Sequence, residues 1–167
     1  MFRLVQADSE ARIAQVRELF QEYAQGVGDD LCFQGFQQEL AELPSSYGPP
    51  RGRLLLALDA GQPCGCVGLR PLSGDRCEMK RLYVRPAARE RGLGRLLVLE
   101  VLRLAESLGY GRMVLDTLPA MAAARALYAS LGFQVVAAPG TAGDGGQIFM
   151  ERVLPRPASR HDAAPDE

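Results

Sequence analysis

Between Leu93 and Leu108 the apolar residues recur at three- and four-residue steps. Leu93, Leu96, Leu97, Val101, Leu104 and Leu108 make one stripe, with Arg95, Glu100, Arg103 and Glu106 largely off it. That period predicts an amphipathic helix, and Gly109 stands where its C′ residue belongs. Before it, Cys77 to Val84 mixes apolar and polar positions and ends in the strand-forming run Leu82-Tyr83-Val84. Pro86 closes that strand, because proline cannot donate to a sheet ladder. The junction between strand and helix is Arg89-Glu90-Arg91-Gly92-Leu93-Gly94.

The same reading extends along the chain. Phe2 to Val5 predicts an edge strand. Asp8 or Ser9 caps a helix whose stripe is Ile13, Val16, Phe20 and Tyr23, broken at Gly26-Val27-Gly28. A short second helix holds Phe33, Phe36, Leu40 and Leu43 and ends at Pro44. Ser45 to Gly52 is a turn-rich link too short to separate domains. Strands follow at Arg53 to Leu58, Cys64 to Arg70 and Cys77 to Val84, joined by hairpin connectors that suggest an antiparallel meander. Beyond Gly109 come a strand from Arg112 to Asp116 and a helix started by Thr117 or a neighbour, with Pro119 in its first turn. That helix carries Ala124, Leu127, Tyr128 and Leu131 and stops at Gly132. Phe133 to Val136 and Gln147 to Val153 are the last strands. Residues 1–154 form one domain, and 155–167 read as a disordered tail.

Composition narrows the class. A chain of 167 residues with 47% hydrophobic and 23% charged residues is long enough for a substantial core. Charges interrupt the leucine-rich helix, so it does not span a membrane, and MFRLVQADSEAR has no apolar leader; a cytoplasmic address is the default expectation. Cys64 and Cys66 alternate along a strand, which would put both thiols on one face. With Cys32, Cys77 and His161 the other soft ligands, the expectation is buried reduced thiols and no metal.

Charge changes the picture at the junction. Lys80, Arg81, Arg85, Arg89, Arg91 and Arg95 cluster there against Glu78 and Glu90, in a chain of net charge −1. The first N–H groups of a helix lack partners within it, and glycines let an anion approach them. A pyrophosphate fits that description. Neither the P-loop nor the G-x-G-x-x-G spacing is present, and a local basic cluster explained by phosphate does not call for nucleic acid.

Arg89-x-x-Gly92-x-Gly94 resembles the [QR]-x-x-G-x-[GA] signature of the GNAT acyltransferase superfamily. A second stretch, Ala124 to Phe133, is similar to that family's A-x-x-L-Y-x-x-x-G-F. The resemblance covers residues 2–153 and implies an α+β acyl-CoA N-acyltransferase fold, with a mixed, mostly antiparallel central sheet flanked by helices. The strands would splay at the centre to admit pantetheine. Acetyl-CoA is the implied cosubstrate and a primary amine of a small molecule or peptide the implied acceptor. A homodimer is compatible with the family.

The resemblance also implies site residues. Glu78 is the candidate general base, with an ion pair to Lys80, Arg81 or an arginine of a neighbouring strand as the alternative. Tyr128 is the candidate general acid for the departing thiolate. Leu82, Tyr83 and Val84 would supply backbone groups to the acyl carbonyl and the pantetheine, though Tyr83 could equally be packing. Arg89, Glu90, Arg91, Gly92, Leu93, Gly94 and Arg95 would hold the phosphates, with Met121 and Ala124 along the rest of the cofactor. Two positions depart from the family pattern. Met121 stands where relatives have asparagine, and Glu90 where a common variant has glycine; the carboxylate either points outward or weakens affinity. Asp29 and Asp30 could attract a cationic amine or simply cap helices. The competing reading is a CoA-binding sensor without turnover.

Overall fold

The structure is a computed structural model and describes residues 1–27, 35–137 and 146–155. Among these residues seven strands make one sheet: β1 Phe2–Gln6, β2 Arg53–Asp59, β3 Gln62–Pro71, β4 Arg76–Val84, β5 Arg112–Thr117, β6 Gln134–Val136 and β7 Ile148–Val153. Their order is β1-β2-β3-β4-β5-β7-β6. Every neighbouring pair is antiparallel except β4 and β5, which run parallel. Among the described residues four helices flank the sheet: α1 Glu10–Val27, α2 Phe36–Ala41, α3 Leu93–Ser107 and α4 Ala122–Ser130. This is the α+β architecture expected from the sequence.

Each face of the sheet carries its own core. On one, the α3 stripe (Leu93, Leu97, Val101, Leu104) packs with Leu55, Met79, Met113 and Leu115. On the other, Val16, Leu19 and Phe20 of α1 meet Leu40, Tyr47, Leu54 and Leu56. Burying these side chains supplies most of the driving force for folding, at roughly 1.5–3 kcal/mol for each fully buried large apolar residue. Ser9 caps α1, its hydroxyl accepting from the Arg12 N–H at 3.3 Å.

Three details depart from expectation. The β2–β3 register runs Leu58↔Pro63 and then Ala57↔Gly65, so Cys64 is an extra, bulged residue. The bulge resets the alternation, and Cys64 joins the α3 core while Cys66 joins the α1 core. The two thiols therefore lie on opposite faces rather than one. Thr117 does not start a helix: it pairs with Ile148 as the last residue of β5, and α4 begins at Ala122 after Met121. Pro119 accordingly precedes the helix, in the turn closed by the Met121 N–H on the Leu118 carbonyl. Finally, α1 runs through Gly26 to Val27. Cys32, Phe33, Asp29, Asp30, His161 and the tail from 156 lie outside the described residues.

Candidate active site

The site begins where two parallel strands part. β4 and β5 pair only at Arg76↔Arg112, Cys77↔Met113 and Glu78↔Val114, although β4 runs on to Val84 and β5 to Thr117. The gap opens into a cavity of about 960 Å³, walled by Met79 to Val84 on one side and Leu115 to Leu118 on the other.

A bulge on β4 shapes its wall. Cys66 pairs with Tyr83 and Gly68 with Lys80, so Val67 alone faces both Arg81 and Leu82. Arg81 takes a left-handed φ of 61°, which costs a side chain such as arginine about 1–2 kcal/mol. The extra residue breaks alternation. Met79 packs toward α3, and so do Leu82 and Val84, three and five residues later. The uneven spacing of Met79, Leu82 and Val84 is a signal that the sequence itself carries.

The N-terminus of α3 opens on the same cavity. Its N-cap is Gly92, with φ 79°, and no side chain caps the first turn. The first helical bond there is from the Leu96 N–H to the Gly92 carbonyl, so the amides of the preceding residues have no partner within the helix. A Cβ on Gly92 would meet nothing within 4 Å, and one on Gly94 would meet only Leu127 at 3.5 Å. The surface is thus open backbone bearing the positive end of a helix dipole.

The basic cluster divides. Lys80, Arg81, Arg89 and Arg95 line the cavity. The Arg89 guanidinium donates through Nε to the Val84 carbonyl at 2.9 Å, and Arg95 reaches Ser130 Oγ at 3.5 Å. Arg91 turns away instead: it pairs with Asp59 at 2.8 Å and lies over the Phe2 ring, a carboxylate and an aromatic that the meander brings alongside. Arg85 is likewise committed to Glu22 and to the Pro63 carbonyl. That pairing holds the Glu22 carboxyl below its ordinary range, chiefly through the hydrogen bond from Arg85. Glu90 lines the cavity on a left-handed φ of 63°.

Among the candidate residues, Leu82, Tyr83, Val84, Gly92, Leu93, Gly94, Met121, Ala124 and Tyr128 come together on the cavity. Tyr128 is 7% exposed and lines the cavity. Burial pushes its phenol upward, and the Tyr23 and Asp116 charges add to the rise, so it stays protonated at neutral pH. Met121, in place of a polar side chain, uses its sulfur to accept from Thr117 Oγ1 at 3.6 Å. The Tyr83 hydroxyl donates to Glu22 at 3.2 Å, and its ring meets Tyr23 edge-on.

Glu78 is not among the residues that line the cavity. Its Oε1 accepts from Arg70 Nε at 2.7 Å and Nη2 at 2.6 Å, with Lys80 Nζ at 4.0 Å. The ion-pair alternative is the one its surroundings match, with Arg70 directly opposite on β3 as the partner. Sequence reasoning missed Asp116. It lines the cavity at the end of β5, on the face opposite buried Met113 and Leu115, and its charge is felt by both Tyr23 and Tyr128. Its signal was a lone carboxylate in the alternation Met113, Leu115, Thr117.

The acetyltransferase (GNAT) family model matches residues 13–133. An uncharacterized N-acetyltransferase of Schizosaccharomyces pombe is 51% identical over 118 residues, covering 70% of this chain and 72% of that protein. The uncharacterized N-acetyltransferase YjgM of Escherichia coli is 32% identical over 137 residues, with 80% and 81% covered. A GNAT-family acetyltransferase from Staphylococcus aureus shares the fold at TM-score 0.78 and 17% identity, covering 93% of this chain and 100% of that one. The PaiA N-acetyltransferase of Thermoplasma acidophilum, solved in complex with coenzyme A, does so at TM-score 0.72 and 18% identity, with 92% and 99% covered. The chain belongs to the GNAT acetyltransferase family and is an N-acetyltransferase by that membership. Among the described residues no helix is long and apolar enough to cross a membrane.

Proposed function

We propose that this protein transfers an acetyl group from acetyl-CoA to a primary amine by direct attack of the amine on the thioester. The observation that carries the reading is the uncapped, glycine-opened start of α3, facing the cavity where β4 and β5 part. Its residues fit a pyrophosphate: free amides, a helix dipole, and the Arg89 and Arg95 guanidiniums nearby. Acetyl-CoA supplies the activated acyl group. The chain supplies position, polarisation and proton transfer.

The roles follow from what faces the cavity. Backbone N–H groups at Leu82 and Tyr83 donate to the acyl carbonyl as its oxygen gains charge. Tyr128, kept neutral by burial, donates a proton to the departing thiolate. Two carboxylates compete for the amine's proton. Glu78 is bound by Arg70 outside the lining, whereas Asp116 lines the cavity close enough to influence Tyr23 and Tyr128. That difference favours Asp116 as the proton acceptor, with Glu78 holding Arg70 and Lys80 in place.

The test is a thermal-shift comparison of acetyl-CoA, CoA and ATP, followed by thiol release across an amine panel. Stabilisation by the CoA species together with acceptor-dependent thiol release is the expected result. Stabilisation without release on any amine would favour a CoA-sensing module. Absence of CoA binding would overturn the reading.

A further inference from the structure

The strained residue of the β4 bulge is held from two directions. Arg81 Nε donates to Glu39 Oε2 of α2 at 3.0 Å, and the two side chains are 11% and 14% exposed. Its guanidinium also lies 4.9 Å over the Phe36 ring. Glu39 is anchored in turn, its Oε1 accepting from the Tyr47 hydroxyl at 2.8 Å. Tyr47 is almost fully buried and packs edge-on to Phe20. It sits so close to β3 that a Cβ on Gly68 would lie 2.7 Å from its ring. The chain of contacts therefore runs from the rigid sheet through Tyr47 and Glu39 to the guanidinium of Arg81.

The second hold is on the backbone. The Arg81 carbonyl accepts from the Cys66 thiol at 3.5 Å, and burial pushes that thiol upward so that it keeps its proton. Cys66 belongs to the α1-side core. In a trans peptide the C=O and the following N–H point in opposite directions. With the Arg81 carbonyl turned to Cys66, the Leu82 N–H faces the other way, toward the side where Leu82 packs and the cavity lies.

We propose that Glu39 is a positioning residue for acyl transfer: through Arg81 it holds the β4 bulge in its left-handed conformation and so aims the Leu82 N–H at the reacting carbonyl. This rests on the acetyltransferase reading above. Glu39 need not touch either substrate. A helix on the α1 side of the sheet thereby fixes a donor on the α3 side. A donor misplaced by about 1 Å costs on the order of a hundredfold in rate.

The test exploits the conformational freedom of glycine, which takes a left-handed φ without a side-chain penalty. Steady-state kinetics are compared for wild type, Glu39→Gln, Glu39→Ala, Arg81→Gly and the double variant Glu39→Ala/Arg81→Gly, with thermal midpoints recorded alongside. Glu39→Ala should lose about ten- to a hundredfold in kcat, with the KM for acetyl-CoA changed less than about threefold. Glu39→Gln, which keeps an acceptor for Arg81, should fall between the two. The double variant should regain most of the lost kcat, because glycine takes the left-handed φ without strain once the clamp is gone and no charge is left unpaired. An unchanged kcat in Glu39→Ala would overturn the proposal, as would a double variant no faster than Glu39→Ala. Should Glu39→Ala fail to fold, the double variant and Glu39→Gln still decide it: the double variant near wild-type kcat supports the proposal, and both near background overturn it. A wild-type chain that acetylates no amine would instead overturn the acetyltransferase reading, and this inference with it.

Discussion

Arg70 grips the Glu78 carboxylate with two nitrogens, at 2.7 and 2.6 Å, across the β3–β4 ladder. Asp116, on the adjacent strand β5 beyond its last pair with β4, lines the cavity. Glu78 lies outside the cavity lining with its carboxylate bound to Arg70, whereas Asp116 stands in the lining, where a bound amine can reach it directly. Asp116→Asn should therefore lower kcat/KM by about 10²–10³-fold, the usual range for removing a general base. Glu78→Gln should cost less than about tenfold and also reduce stability by unpairing Arg70. Initial rates and thermal midpoints of the two variants measure both effects. The opposite ranking would return the base to Glu78.

Tyr128 lies between α4 and the parted strands with its ring edge-on to Phe133. Burial is the main reason its phenol is raised, so the neutral, proton-donating form persists to higher pH than for a free tyrosine. The sign is clear: as pH climbs toward the ordinary phenol range, Tyr128 is still a donor. The rate should show no alkaline fall assignable to this group up to about pH 10. Tyr128→Phe should lose about 10²-fold in kcat while leaving the thermal shift with CoA nearly intact, since its ring packing is retained. A pH–rate profile of wild type and variant checks both statements.

The central strand–loop–helix was legible because it rests on local signals that tertiary structure does not override. Leucine spacing set α3 at Leu93, and Gly92 stands at its N-cap as the junction's glycines required. What the alternation rule could not deliver were the two bulges. Cys64 read as sharing a face with Cys66 because a period of two assumes an unbroken register, and the extra residue opposite Ala57 and Leu58 breaks it. The second bulge, at Arg81, turns an arginine of the basic cluster into the part-buried partner of Glu39, more than forty positions earlier in the chain. Charge destiny was equally hidden. Arg89 and Arg91 are two residues apart in sequence, yet one lines the cavity and the other is drawn to Asp59 by the fold of the first hairpin. Asp116 carries only its place in the alternation of β5 as a signal, and a single carboxylate with no spacing partner does not point to a role.

At the other end of the β4 wall, Arg85 ties Glu22 of α1 to the Pro63 carbonyl of β3. The Glu22 carboxyl is held below its ordinary value of 4.5, first by the hydrogen bond from Arg85 and then by that residue's charge. A lowered value means that the unfolded chain binds the proton more readily. The stabilisation is therefore complete above pH 4.5 and is lost as pH falls through the depressed value. With both side chains about a third exposed, solvent screening limits it to about 0.5–1 kcal/mol. Glu22→Gln should be less stable than wild type by that amount at neutral pH, and the difference should shrink steadily below pH 4.5. Urea melts at a series of pH values supply the comparison; a gap that persists at the acid end would mean Glu22 acts by packing rather than by charge.

Gly92 and Gly94 face the same opening for different reasons, and alanine should separate them. Gly92 has a φ of 79°, so a side chain is strained there even though a Cβ would meet nothing within 4 Å. Its emptiness is the space through which a phosphate would approach the α3 amides. Gly92→Ala should thus cost about 1 kcal/mol in stability and weaken acetyl-CoA about tenfold or more. Gly94 lies within the first turn of α3, where its Cβ would make an ordinary contact with Leu127 at 3.5 Å. Alanine suits a helix better than glycine by up to about 1 kcal/mol. Gly94→Ala should consequently keep or raise the thermal midpoint and hold acetyl-CoA within about threefold of wild type, as the [GA] alternative at that motif position implies. Titration calorimetry of both variants with acetyl-CoA distinguishes the two positions. Equal loss of affinity at both would mean that the phosphates sit deeper along the α3 axis than the Gly92 cap, with the Gly94 amide as a principal donor.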